Sequence, residues 1–186
     1  MVCMEELESK FRSLEPALRR LEEEAKFILG ISLRKAGIKS HSLVSRIKAF
    51  ESFHDKIVRK NITDPFDNID DLVGVRVVCL LRSDIPKLGK LVNKEFTVLA
   101  EDNKLDGVEV NAFGYQSVHF VVRLPQSCTG PRYDGLHDLR LEIQVRTLAM
   151  DAWAALSHYL DYKSESDVPK ELRKDFFALS GLYLCC

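Results

Sequence analysis

The sequence predicts an α/β (α+β) fold, a mixed β-sheet of about five strands flanked by helices, which is an ordinary sheet size. Three observations predict it. Residues 139–146 alternate with strand period: Leu139, Leu141, Ile143 and Val145 share one face, and Arg140, Glu142, Gln144 and Arg146 share the other. Residues 72–81 form a β-branched apolar run interrupted by Arg76, which reads as a buried strand. Leu7, Phe11, Leu14, Leu18, Leu21, Ala25 and Ile28 recur at alternating fours and threes, the spacing of an amphipathic helix.

The elements follow in chain order. The first helix should end near Gly30, with Pro16 kinking it or marking a restart capped by Ser13. Its stripe suits docking on the domain or on a second subunit better than an independent coiled coil, and it permits a homo-oligomer without establishing one. Residues 41–48 read as a strand and 49–60 as a helix with Phe50, Phe53, Ile57 and Val58 inward. Residues 61–68, with Pro65, read as a loop before the 72–81 strand. Ser83 can cap a helix carrying Ile85, Leu88, Leu91 and Val92. Residues 96–100 are a short strand and 101–113 a polar loop free to move. Residues 116–124 and 139–146 read as neighbouring strands joined by a Pro/Gly-rich connection, and helices over 148–162 and 170–184 close the chain. Residues 1–40 are thus a helical segment, and 41–186 the domain proper.

Composition narrows the function classes. At 186 residues, 46% hydrophobic and 30% charged, the chain is long enough for one well-cored globular domain. A net charge of −1 argues against a broad footprint on DNA or RNA, so any polyanion must be held by a local basic cluster. The longest apolar run is too short to span a bilayer, and the acidic amphipathic start is not a secretory signal. The cysteines Cys3, Cys79, Cys128, Cys185 and Cys186 are odd in number and contain no Cys-x-x-Cys pair, which suits a reduced cytosol. Cys79 should pack as a small hydrophobe.

Four clusters could carry chemistry. Arg46 and Lys48 are two apart in a strand, and Lys56 is on the helix that follows; three cations at one edge could hold a polyphosphate. The ordinary alternative is a solvated basic patch. In the run from Asp70 to Arg76, a carboxylate at the mouth of a buried strand, with Gly74 thinning its surroundings, can bind a hard cation such as Mg²⁺. The alternative is strand-entry punctuation. Asp71 and Glu142, at the ends of two strands, could converge on one metal, as phosphoryl-type transfer requires. Tyr115, Ser117 and His119 alternate onto one face. Tyr115 could stack a base and His119 reach a phosphate or hydroxyl, or both could be packed structural groups. Thr147 can cap a helix with Trp153, Leu156 and Leu160 facing the core and Asp151, His158 and Lys163 nearer the cleft or solvent. The pairs His54-Asp55 and His137-Asp138 hint at a metal-dependent hydrolase, but scattered histidines make coincidence the better account.

Taken in order, Ser45-Arg46-Ile47-Lys48 with Lys56, Asp71-Leu72-Val73-Gly74-Val75-Arg76, Gly114-Tyr115-Gln116-Ser117-Val118-His119 and Glu142-Ile143-Gln144-Val145-Arg146-Thr147 resemble a RelA/SpoT-type alarmone synthetase of the small single-domain kind. The run from Leu148 to Ala154, then His158 and Tyr162-Lys163, extends the likeness, which covers roughly residues 41–181. It implies a nucleotidyltransferase-like sheet, with residues 41–186 as the synthetase domain. It also implies a cytoplasmic enzyme that transfers the β,γ-diphosphate of ATP to the 3′-hydroxyl of GDP or GTP, making (p)ppGpp and releasing AMP. By position, Arg46, Lys48 and Lys56 would hold ATP phosphates. Asp71 and Glu142 would bind Mg²⁺, with Glu142 also drawing the proton from the attacking hydroxyl. Tyr115 would stack the acceptor base, with His119 and Gln144 supporting the acceptor side.

The chain departs from that family's usual pattern on the acceptor side. Asn111 and Phe113 stand where a Lys and an Asn usually precede Gly-Tyr, and Ser157 stands where small synthetases commonly carry Glu. Three readings therefore remain open for the acceptor and role: a guanine nucleotide; an adenine nucleotide or tRNA 3′ end, as in toxic relatives; or a catalytically silent nucleotide- or RNA-binding module.

Overall fold

The computed structural model describes residues 4–103 and 117–162, and of residues 156–162 the backbone path only. The elements run α1 (Met4–Lys35), β1 (Ser40–Ile47), α2 (Phe50–Lys60), the single turn α3 (Pro65–Asn68), β2 (Val73–Cys79), α4 (Ile85–Glu95), β3 (Thr97–Asn103), β4 (Val118–Arg123), β5 (Leu141–Thr147) and α5 (Leu148–Tyr162). Among the described residues no helix is long and apolar enough to cross a membrane.

The five strands form one sheet in the order β1-β2-β5-β4-β3. The β2–β5 pair is parallel; β1–β2, β4–β5 and β3–β4 are antiparallel. The strand sequences explain the placement. Val73, Val75, Val77 and Cys79 of β2 and Leu141, Ile143 and Val145 of β5 are fully buried, so these strands take the centre. In β3 only Val98 is partly covered, so it can sit at an edge. Leu7, Phe11, Leu18, Leu21, Ala25, Leu29 and Leu33 of α1 enter the same core as the sheet, together with Leu88, Leu91 and Val92 of α4. The opposite face carries the polar alternation.

Several expectations are corrected. The first helix runs unbroken through Pro16 and past Gly30. An interior proline costs about 3 kcal/mol, and burial of Phe11, Leu18 and Leu21 on either side of it offsets that cost at roughly 1.5–3 kcal/mol per side chain. Ser13 caps no restart; its hydroxyl donates to the Lys10 carbonyl at 2.7 Å. The helix stops at Gly37, whose φ of 66° allows Ile38 N–H to reach the Leu33 carbonyl and Gly37 N–H the Arg34 carbonyl, the Schellman arrangement. In α2, Phe53 is buried and Phe50 and Ile57 pack on the core, but Val58 is 66% exposed, one residue beyond the inward stripe. The 61–68 stretch contains α3, begun by Pro65 at its first turn. Ser83 does not cap α4: a 3₁₀ turn over Arg82–Asp84 intervenes, and the helix starts after Asp84 without a side-chain cap. Strand β3 extends to Asn103, taking the first residues of the expected loop.

Other expectations hold. Thr147 Oγ1 accepts the Met150 N–H at 3.2 Å, capping α5 as its hydroxyl requires. Cys79 is wholly buried, and burial pushes its thiol up to about 11. Among the α5 side chains described, Met150 and Ala154 are buried, whereas Trp153, expected to face the core, is only partly covered. Tyr115, Asn111, Phe113, Cys3, Cys185, Cys186, Lys163 and the helix expected over 170–184 lie outside the described residues, as do the side chains of Leu156, Ser157, His158 and Leu160.

Candidate active site

Cross-strand register builds the site. Arg46 of β1, Gly74 of β2 and Glu142 of β5 lie in one row; Val44, Arg76, Gln144 and His119 lie in the next. Residues directly opposite on neighbouring strands share a face, so the open side gathers guanidiniums, an amide, an imidazole and a carboxylate from four strands. Gly74 keeps the first row open, since a Cβ there would meet nothing nearer than Arg46 Cγ at 3.9 Å.

Asp71 lies at the mouth of β2, just before the ladder begins. Its carboxylate takes Lys48 Nζ at 3.0 Å and Lys56 Nζ at 2.9 Å. Lys48 is placed by its own backbone N–H, which reaches the Leu72 carbonyl at 2.8 Å, and Lys56 by α2, docked through Phe53 against Phe11 and Phe66. Burial pushes the Asp71 carboxyl up, but hydrogen bonds from Lys56 and Lys48 reverse this and hold it below its ordinary value.

Glu142 is held differently. His119 Nδ1 lies 2.7 Å from Oε1, and Gln144 Nε2 donates to Oε2 at 2.6 Å. Burial again pushes this carboxyl up; His119 and Gln144 bring it below its ordinary value, against a smaller repulsion from Asp71. His119 is gripped at both ring nitrogens, because Ser117 Oγ lies 2.6 Å from Nε2. The alternation placed Ser117 on the face of His119 without a role; its buried hydroxyl is a partner of the ring.

Reasoning by strand period gave Arg76 no place on this face. Arg76 donates to Gln144 Oε1 at 3.3 Å and to Asp151 Oδ1 at 3.0 Å. Arg146 also reaches Gln144 Oε1 and Asp151 Oδ1, although its side chain is 2% exposed rather than solvated. Burial, with Arg76 close by, brings its guanidinium down to about 10. The cross-strand offset of two from Gly74 could have flagged Arg76. Helix period placed Asp151 nearer the cleft or solvent, and its pairing with Arg76 and Arg146 depends on how α5 folds back over the strand ends. Arg140 lies just before β5 rather than in the alternation, and pairs with Asp70 at 2.9 Å.

The donor set suits Mg²⁺. This ion usually takes one or two carboxylates and completes its shell with water and substrate phosphate. Asp71 and Glu142, at the mouths of neighbouring parallel strands, would provide those oxygens. Among the described residues no cluster of three or more His, Cys, Asp or Glu is arranged to cage a metal, so the remaining ligands would come from solvent and nucleotide.

Residues 45–167 match the family profile described as "Region found in RelA / SpoT proteins". The chain is 34% identical over 134 residues to the GTP pyrophosphokinase YwaC of Bacillus subtilis, covering 69% of this chain and 61% of that protein. It is 30% identical over 170 residues to GTP pyrophosphokinase YjbM of the same organism, covering 87% of this chain and 77% of that one. Among solved structures, small alarmone synthetase 1 from Bacillus subtilis superposes with a TM-score of 0.73 at 26% identity, over 94% of this chain and 90% of the other; its complex with the product pppGpp gives 0.73 at 26%, over 94% and 91%. With two-thirds of its length inside that profile and its sheet shared with those synthetases, the chain belongs to the RelA/SpoT family.

Proposed function

We propose that this chain is an ATP:nucleotide 3′-diphosphotransferase that converts GDP or GTP to (p)ppGpp with release of AMP, acting in the cytoplasm. The observation that carries the reading is the placement of two carboxylates at the mouths of the parallel neighbours β2 and β5, Asp71 held by Lys48 and Lys56 and Glu142 by His119 and Gln144. The likeness to two GTP pyrophosphokinases, and to a synthetase solved with pppGpp, supports the substrate pair.

In this reading Arg46, Lys48 and Lys56 hold the ATP phosphates, Arg46 through its fork and the lysines as point charges. Asp71 and Glu142 hold Mg²⁺, which when bound neutralises charge on the transferred diphosphate. The acceptor's 3′-oxygen attacks the β-phosphorus in line, Glu142 takes its proton, and the α,β-bridging oxygen leaves with AMP. His119 and Gln144 orient Glu142 through their bonds to its two oxygens, leaving each a second lone pair for the site. Tyr115 stacks the acceptor base.

Asn111 and Phe113, on the acceptor side, favour a second reading in which the same chemistry is directed to an adenine nucleotide or a tRNA 3′ end. The test offers GDP, GTP, ADP and tRNA separately with Mg²⁺ and ATP labelled on the β-phosphate, and identifies products by mass. Label on GDP and GTP is the expected result. Label only on ADP or tRNA would select the second reading, and label on none would leave a binding module.

A further inference from the structure

We propose that Arg140 is a positioning residue for the divalent-metal site, tying the loop that bears Asp71 to the strand that bears Glu142. The inference rests on the reading that these two carboxylates share a metal ion.

Asp71 precedes the first residue of β2, so no ladder fixes its distance from Glu142. Its loop is pinned at Ile69 and Leu72, both buried, and the two acidic residues between them are engaged by different elements. Asp71 meets Lys48 and Lys56, from the β1 side of the molecule. Asp70 meets Arg140 Nη1 at 2.9 Å, at the entrance to β5 and two residues before Glu142. The other arm of the Arg140 guanidinium donates to the Asp67 carbonyl in α3. Arg140 therefore grips the loop at two points, one side-chain and one backbone, which a planar fork does well and a lysine does not.

Two features make this grip more than a surface pair. Asp70 Oδ1 is shielded from solvent and, among the described residues, accepts no hydrogen bond of good geometry, so the Arg140 charge is its compensation. The second feature is a division of labour. Lys48 and Lys56 are the cations that would also face ATP phosphates, so their hold on Asp71 must loosen when nucleotide and metal arrive. Arg140 has no such competing duty. It is the tether to Asp71's loop that persists and that leads directly to the strand of Glu142.

The experiment titrates Mn²⁺ onto the whole chain, reading free Mn²⁺ by electron paramagnetic resonance. The variants are Arg140→Ala, Arg140→Lys, Asp70→Asn and the double variant Arg140→Ala/Asp70→Asn, with Asp71→Asn and Glu142→Gln as controls. Arg140→Ala should weaken Mn²⁺ binding by about tenfold, the lower end for a group supporting metal ligands, and Asp70→Asn should weaken it similarly. The double variant should lose no more than Arg140→Ala alone, because that substitution already removes the Asp70 contact; Arg140→Lys should fall between wild type and Arg140→Ala. Binding of α,β-methylene-ATP in EDTA should be unchanged in the Arg140 and Asp70 variants, and urea unfolding identifies the conditions in which each variant is folded. Wild-type Mn²⁺ affinity in folded Arg140→Ala, with the Asp71→Asn and Glu142→Gln controls impaired, would overturn the proposal and leave the metal reading standing. Unimpaired controls would remove the metal reading itself. Additive losses, or a matching loss of nucleotide binding in EDTA, would assign Arg140 to another task and overturn the proposal as well.

Discussion

Replacing Asp71 by Asn removes one charge and almost no volume, so its consequences can be worked from the contacts. The carboxylate accepts from two ammonium groups at 2.9 and 3.0 Å. An amide has one oxygen and no charge, so one ammonium group is left facing an N–H donor. Breaking a fully buried ion pair costs about 3–5 kcal/mol. The Asp71 side chain retains 21% exposure, and screening lowers the expected loss to roughly 1–3 kcal/mol. The dependence on pH carries the sharper test. The folded-state carboxyl lies below its ordinary value: burial raises it, and Lys56 and Lys48 bring it down further than burial raises it. A depressed carboxyl contributes stability that is fully present above the unfolded pKa of about 3.9 and is lost as pH falls through the folded value. The gap between wild type and Asp71→Asn in urea unfolding should therefore be full at neutral pH and close as pH falls below the ordinary carboxylate range. At neutral pH the variant should transfer no β-label from ATP above background. A stability gap indifferent to pH would refute the electrostatic account, and full turnover with metal present would refute the catalytic one.

Glu142→Gln should likewise abolish transfer while circular dichroism shows an unaltered fold, since Gln fills the same space between His119 and Gln144. Thr147→Ala removes the acceptor for the Met150 N–H and should lower stability by about 1 kcal/mol in urea unfolding, with Thr147→Ser recovering most of it. Phe53→Ala empties a fully buried position flanked by three other phenylalanines and should cost about 3–5 kcal/mol by the same measurement. Tyr115→Ala should raise the acceptor KM more than the ATP KM, by an amount equivalent to about 1–3 kcal/mol of lost stacking; steady-state kinetics with each substrate varied in turn reads the difference.

Strand period made the sheet legible because β2, β4 and β5 each bury one face completely, as Val75, Phe120 and Ile143 show, and a one-residue slip would expose that whole face. Helix ends were harder to read. Pro16 and Gly30 look like stops to local reasoning, yet the burial of Leu18, Leu21, Leu29 and Leu33 outweighs local propensity, and the stop falls at Gly37, where the chain must turn with positive φ. Ser83 has the right chemistry for a cap but sits in a 3₁₀ turn, a register that propensity alone does not choose. Within the site, the alternation of Glu142 and Gln144 was readable from one segment. The Arg76–Asp151 contact was not, because it joins residues 75 apart through the angle at which α5 leaves β5.

The two proposed metal ligands also differ in what fixes them, and this bears on which substitutions the site will tolerate. Glu142 is the second residue of a central strand, with Gly74 and Val121 opposite it; hydrogen-bonded ladders on both sides set its position, and side-chain changes nearby can only turn its carboxylate. Asp71 has no ladder. Its position follows from side-chain bonds made by β1, α2 and the entrance to β5 acting through Asp70. Changes at Lys48, Lys56 or Arg140 should therefore move a ligand, whereas changes at His119 or Gln144 should rotate one. Displacing a ligand alters metal affinity, while rotating one should change chiefly the proton transfer proposed for Glu142. Metal affinity measured apart from turnover should sort substitutions on this face into those two classes, according to whether the residue they affect stands on a ladder or on a loop.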